Sequence, residues 1–235
     1  MIRRNCFSAD RRRFLPGRGK GVNAAMTTLM KYVLMVSMTV FLLSCALGGG
    51  KPAVMLEQYA LEYPPPSLQD LNRIDEVIRV ERFSVAQIFN NAKIVYREKS
   101  YHYDDYTYHR WRANPGDMVS DYLLRDLRQS GLFKSVFSYR DLDDISLVLK
   151  GGVGEFFEAD EKGGRKAILS VDLTLMDLSQ KDTISRVIFQ KNYRFEEPVV
   201  EQTVPGFVQA MSKAMEKLSR QAIGDVYSAV KNKKR

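Results

Sequence analysis

The chain has 235 residues, 45% of them hydrophobic and 27% charged, with two cysteines. That composition suits one globular domain with a tail, and it excludes a disordered chain, a disulfide-stapled scaffold and a multi-span membrane protein. The net charge of +8 sits in the front: residues 1–44 hold eight basic residues and one acidic, Asp10, leaving 28 basic against 27 acidic in the remainder.

Tyr32 to Leu43 is a run of twelve mostly apolar residues preceded by Lys31. A spanning helix needs about 20 apolar residues, whereas a secretory signal core needs 7–15. The run ends in Leu42-Leu43-Ser44-Cys45, which resembles the lipobox of bacterial lipoproteins. In that chemistry the small Ser44 fits the signal peptidase, and the Cys45 thiol takes a diacylglycerol before cleavage. The residues expected to direct cleavage are Leu42, Leu43 and Ser44, and the lipidated residue is Cys45. Ala46-Leu47-Gly48-Gly49-Gly50-Lys51-Pro52 follows with the composition of a flexible tether. Ala46, rather than Asp, after the cysteine points to the outer membrane by the usual sorting rule. Met26 or Met30 would each start a signal of ordinary length, while Arg11-Arg12-Arg13 lies too far from the apolar run for a twin-arginine signal. Three regions are expected: a leader over 1–44, a lipidated tether over 45–57, and a single domain over 58–235. Removing the leader discards Cys6 and most of the positive charge.

In the body, Pro64-Pro65-Pro66 reads as a stiff link after the short extended piece Tyr59–Tyr63. Ile78–Val85 reads as a strand with a bulge between Val80 and Phe83. Lys93–Lys99 is a second strand, and the aromatic Tyr101–Trp111 a third. Asn114-Pro115-Gly116-Asp117 opens a helix closed by Gly131. Phe133–Tyr139 and Ile145–Lys150 read as strands, Asp143-Asp144 as a turn, and Val153–Glu158 and Ala167–Leu178 as a hairpin around Lys162-Gly163-Gly164-Arg165. The second arm alternates, with Leu169, Val171, Leu173 and Leu175 on one face and Ser170, Asp172 and Thr174 on the other. Thr183–Phe195 continues the meander. A long helix then runs from Pro205 to about Val230, with Val208, Met211, Met215, Leu218, Ala222 and Val226 on its apolar stripe. The fold class is α+β: a mainly antiparallel sheet with two helices on one face.

Chemistry is sparse. His102 and His109 are seven apart in an extended segment and fall on opposite faces, so no shared metal site is expected. Glu155, Glu158, Asp160 and Glu161 lack EF-hand spacing, and no hydrolase or dinucleotide motif is present. No catalytic residue, metal or cofactor is expected. The unusual stretch is Tyr101-His102-Tyr103-Asp104-Asp105-Tyr106-Thr107-Tyr108-His109-Arg110-Trp111. Tyr101 and Tyr103 are expected on one face, as are Tyr106 and Tyr108. With Trp111 they form a candidate partner or lipid contact, weighed against a strand that merely packs its rings. They lack the basic surround of a nucleic-acid platform. The tail Lys231–Arg235 reads as a solvated helix end.

The ordered set of these features resembles the ABC-type transport auxiliary lipoprotein family, the PqiC-like lipoproteins. It comprises the lipobox, the Ile94-Val95-Tyr96-Arg97 strand, the Tyr-rich strand ending in His109-Arg110-Trp111, Pro115-Gly116-Asp117-Met118 and Ser130-Gly131-Leu132-Phe133. The resemblance implies a non-enzymatic lipoprotein that accompanies an ABC permease and ATPase and an MCE-domain protein in envelope lipid transport. It would dock the MCE assembly at the outer membrane, singly or as a homo-oligomeric ring. The helix followed by Ser-Gly-x-Phe also resembles CsgG- and LpoB-type lipoproteins, which serve secretion or cell-wall synthases.

Overall fold

A computed structural model describes residues 22–46, 55–141, 144–161 and 163–233. The arginine run Arg11–Arg13, Cys6, residues 47–54 of the tether, Asp143, Lys162, Lys234 and Arg235 lie outside the described residues. The chain divides into two units, residues 1–53 and 54–235.

The first unit contributes one helix, α1 (Val22–Ala46). Its described side chains from Met26 to Met38 are all exposed. Among the described residues no helix is long and apolar enough to cross a membrane.

The second unit is an α+β sandwich. Its elements are β1 (Glu57–Tyr59), β2 (Ile74–Val80), β3 (Ser84–Val85), β4 (Lys93–Lys99), β5 (His102–Trp111), α2 (Pro115–Gln129), β6 (Phe133–Ser138), β7 (Leu147–Glu161), β8 (Gly164–Asp177), β9 (Val187–Pro198) and α3 (Val204–Lys233). All nine strands join one sheet. Its longest ladders, β7 with β8 and β8 with β9, are antiparallel, as is β4 with β5. The sheet is nonetheless mixed. The outer edge of β7 takes β2 at Leu147–Leu149, β3 at Gly152–Val153 and β4 at Glu158–Ala159, each parallel. β6 adds to β2 and β1 to β5, again parallel.

Both helices of this unit cover the same face. Leu169, Val171, Leu173 and Leu175 of β8 are fully buried under Phe207, Met211, Met215 and Leu218 of α3, in one continuous core. The opposite face of β8 is polar: Asn192 Nδ2 donates to Ser170 Oγ at 3.1 Å and to Asp172 Oδ1 at 2.9 Å. Lys166, Glu196, Arg194 and Glu155 form a chain of ion pairs on β7 to β9. One wet and one dry face follow from the alternation along β8.

Local chemistry sets the helix ends. The Asn114 side chain accepts from the Gly116 N–H at 2.9 Å, with Pro115 in the first turn. Gly131 closes the helix with φ of 65°.

Several expected boundaries differ, and the strand expected at Thr183–Phe195 begins only at Val187 and ends at Pro198. The strand expected at Ile78–Val85 is β2 followed by a break and β3; Val80 stands opposite Leu149 and Ser84 opposite Gly152, so four steps oppose three and the extra residue falls where the bulge was expected. The two strands expected at Ile145–Lys150 and Val153–Glu158 are one fifteen-residue strand. Gly151 and Gly152 do not interrupt it; they admit a neighbour. A Cβ at Gly151 would lie 2.5 Å from the Phe83 ring.

Asp177 ends β8 and pins the end of α3. Lys233 Nζ lies 2.6 Å from Asp177 Oδ2, and Ser179 donates to Oδ1 through its N–H at 3.0 Å and its hydroxyl at 2.7 Å. Burial pushes the carboxyl up, but Lys233, Ser179 and Gln180 outweigh it and hold the group below the usual carboxylate range. A depressed carboxylate stabilises the fold above its unfolded value of about 3.9, and loses that contribution as pH falls toward its folded value. Asp177→Asn should therefore lower Tm at pH 7. The gap from wild type should narrow in melts taken progressively below about pH 3.9.

Candidate docking surface around the aromatic strand

β5 is aromatic, a composition that favours a pleated, half-buried strand. It pairs with β4 on one side. On its other side β1 covers only His109–Trp111, through Glu57↔His109 and Tyr59↔Trp111. Among the described residues the outer edge of 102–108 has no strand partner.

A bulge divides this strand's side chains. Lys93 pairs with Arg110 and Val95 with Asp105, so two steps on β4 oppose five on β5. The extra residues interrupt the strict alternation of this stretch, and Tyr106 and His109, three apart, meet with ring centroids 5.8 Å apart. Tyr103 rests edge-on against Phe157 at 5.3 Å between centroids, and near Phe89 at 6.3 Å. The Tyr106 hydroxyl instead donates to Glu158 Oε2 at 3.0 Å. Phe157 and Glu158 are successive residues of β7 and point to opposite faces, so Tyr103 and Tyr106 are separated by the sheet. Tyr108 is half exposed. Tyr101 stands outside the strand, in the β4–β5 turn, and is 100% exposed with φ of 67°. Trp111 is buried, 5.1 Å from Phe156 and 5.8 Å from Phe207 between ring centroids, and belongs to the core. The five aromatic residues therefore do not form one patch. Tyr101 and Tyr108 are open to a partner; Tyr106 and Trp111 hold the fold.

The polar groups around the strand are structural. Glu158 is 1% exposed, and Arg165 Nη1 stands 3.3 Å from its Oε1. Burial raises the Glu158 carboxyl, opposed by the Tyr106 hydroxyl and the Arg165 charge. The Tyr106 hydroxyl is raised in turn, by burial first and then by Glu158. At the β1 edge, the Tyr59 hydroxyl donates to Glu57, and His109 Nδ1 lies 3.2 Å from Glu57 Oε2. Burial and then Glu57 push the Tyr59 hydroxyl up to about 12. This cluster ties the entry of the body to β5. It escaped the sequence reading because Glu57 and His109 are 52 residues apart and share no motif.

His102 is exposed at the start of β5, apart from the His109 cluster. Among the described residues no group of three His, Cys, Asp or Glu could hold a metal ion. Glu155 pairs with Arg194, and Asp160 with Arg165; the Glu161 side chain lies outside the described residues. A shallow groove of about 670 Å³ runs beside β1, between residues 58–62 and Pro205, Val208, Gln209 and Ser212 of α3. Leu42, Leu43, Ser44 and Cys45 lie in the last turns of α1, and their side chains lie outside the described residues.

A family model described as the ABC-type transport auxiliary lipoprotein component matches residues 59–222. A crystal structure of a Xanthomonas campestris protein, assigned to the family model DUF330, is similar with a TM-score of 0.68 and 16% identity. The likeness covers 75% of this chain and 98% of that one. A second crystal structure, of a protein described only as uncharacterized, gives a TM-score of 0.58 at 13% identity over 73% of this chain and 99% of that one. At such identities these two likenesses speak for the fold. The search of curated proteins finds no match.

Proposed function

Because the chain belongs to the ABC-type transport auxiliary lipoprotein family, we propose that it is the non-enzymatic, lipid-anchored component of an envelope lipid transport system. It docks the periplasmic assembly of an MCE-domain protein at the outer membrane, as one copy or as a homo-oligomeric ring. A partner ATPase and permease supply the energy. The observation that carries this reading is the extent of the family match, which runs from the end of β1 to Ala222 in α3 and so takes in nearly the whole body. The lipobox at Leu42-Leu43-Ser44-Cys45 supports the anchor, with the leader 1–44 removed and acyl chains on Cys45. More than one acyl chain gives stable attachment, where a single chain is marginal. Tyr108, together with the open edge of β5, supplies a surface for the partner, since an unpaired edge accepts a strand from another chain.

A mild-detergent pull-down of the tagged full chain, with mass spectrometry of the N-terminal peptide and the partners, tests this. An acylated Cys45 peptide together with an MCE-domain protein is expected. An acylated peptide with a cell-wall synthase or secretion channel would keep the anchor and overturn the transport role. Cys45→Ala should move the protein from the membrane fraction to the soluble or unprocessed pool, as read by fractionation and N-terminal mass.

A further inference from the structure

The β4–β5 turn combines two features that do not belong together in a merely structural hairpin. Lys99 pairs with His102, so Ser100 and Tyr101 form a two-residue loop. Its second residue, Tyr101, has φ of 67°. That region is home to Gly and Asn, and a bulky residue there is strained. The ring is also 100% exposed, so no packing within the chain offsets the strain. Strain of this kind persists at sites where a ring or backbone is held for use.

The position of the turn indicates the use. Arg97 pairs with Ala159, which sets the β4–β5 turn level with the β7–β8 turn. The Val199 N–H donates to the Arg165 carbonyl, which brings Val200, 76% exposed, to the same end of the sheet. β1 runs parallel to β5, so the chain preceding Glu57 comes from that end, and Met55 on the way is 85% exposed. Nine residues separate Cys45 from Met55. Their covalent length spans at most about 35 Å. The opposite end of the sheet, which carries the exposed Ile184, is one β7 length further away, about 50 Å for its fifteen residues.

We infer that the turn carrying Tyr101, with Val200 at the same end of the sheet, rests in the headgroup region of the bilayer that holds the acyl chains of Cys45, and so sets how the body stands on its own membrane. This rests on the lipid anchor proposed above. A tyrosine ring suits that boundary, its body apolar and its hydroxyl wet.

The test uses the full-length, acylated protein in phosphatidylethanolamine–phosphatidylglycerol liposomes. Ser100→Cys, next to Tyr101, carries an environment-sensitive fluorophore attached after processing, when Cys6 has gone. Thr183→Cys at the far end carries the same label as a control. The expected result is flotation of the protein with the liposomes, a blue-shifted label at position 100 and a water-like label at position 183. Adding Tyr101→Gly should abolish the blue shift while Tm stays equal or rises, because glycine relieves the turn. A water-like label at position 100 on floated protein would overturn the inference and leave the anchor intact. So would a blue shift that survives Tyr101→Gly, or one that appears only when a partner protein is added. Failure to float would overturn the anchor, and this inference with it.

Discussion

Replacing Asp126 with alanine should cost about 3–5 kcal/mol, because it leaves buried partners uncompensated. Asp126 is 0% exposed. Its Oδ2 accepts from the Tyr63 hydroxyl at 2.7 Å and the Ser219 hydroxyl at 2.6 Å, and its Oδ1 from Arg125 Nε at 2.7 Å. One carboxylate thus joins α2, α3 and the segment that follows β1. The Arg125 guanidinium lies 4.6 Å from the ring centroids of both Tyr63 and Tyr122, which themselves stack at 5.4 Å. Removing the acid strands two buried hydroxyls and a cation, and opens a small void besides. Asp126→Asn keeps the volume and one acceptor, and should cost about 1–3 kcal/mol, the range of one buried bond left unmade. Urea unfolding followed by the fluorescence of Trp111, the chain's one tryptophan, reads both. Equal losses for alanine and asparagine would show that charge, not the acceptor count, holds the junction.

Trp111→Ala should be as damaging, at about 3–5 kcal/mol for a large ring removed from a closed core. Trp111 is 2% exposed and wedged between β7 and α3 through Phe156 and Phe207. Its Nε1–H, however, is buried and has no hydrogen-bond partner among the described residues. Such a donor carries a desolvation cost of about 1–3 kcal/mol. Trp111→Phe sheds that cost while keeping an aromatic ring against both neighbours. The smaller void it leaves is then largely offset, and the net loss should stay within about 1 kcal/mol. Circular dichroism during denaturation measures the pair of variants, since the fluorescent probe is gone. A loss for phenylalanine close to that for alanine would mean the indole nitrogen has a partner after all, such as a buried water.

Much of this architecture is legible from residue patterns. Lys93–Lys99 is a strand within its expected bounds. The Asn114 cap and Gly131 bound α2 as their chemistry requires, and the β8 alternation reports a half-buried strand. What eluded the pattern was long-range. Nothing in Ile78–Val80 says that it will lie parallel to Leu147–Leu149, because a parallel partner is chosen by the crossover between them and not by local alternation. Gly151 and Gly152 lie between the two strands expected at Ile145–Lys150 and Val153–Glu158, and they serve the close approach of Phe83 and Ser84 from β7's distant neighbour. On the aromatic strand, residue type was a fair guide to interest and a poor guide to exposure. Tyr101 falls in the turn outside the strand, and packing draws Trp111 into the core.

The long β7 strand has a bearing on how the body is born. Its partner β8 follows it directly and β9 then adds to β8, whereas β2, β3 and β4 meet it across 62 to 69 residues of chain, and such distant pairings form slowly. A chain that emerges amino end first therefore exposes β2 and β3 before the strand that receives them has been made. Until then their edges are open to other chains. The meander β7–β8–β9, once emerged, is the natural seed, and the earlier half folds backward onto it. A truncation short of β7 would leave β3 without its partner and one edge each of β2 and β4 unpaired.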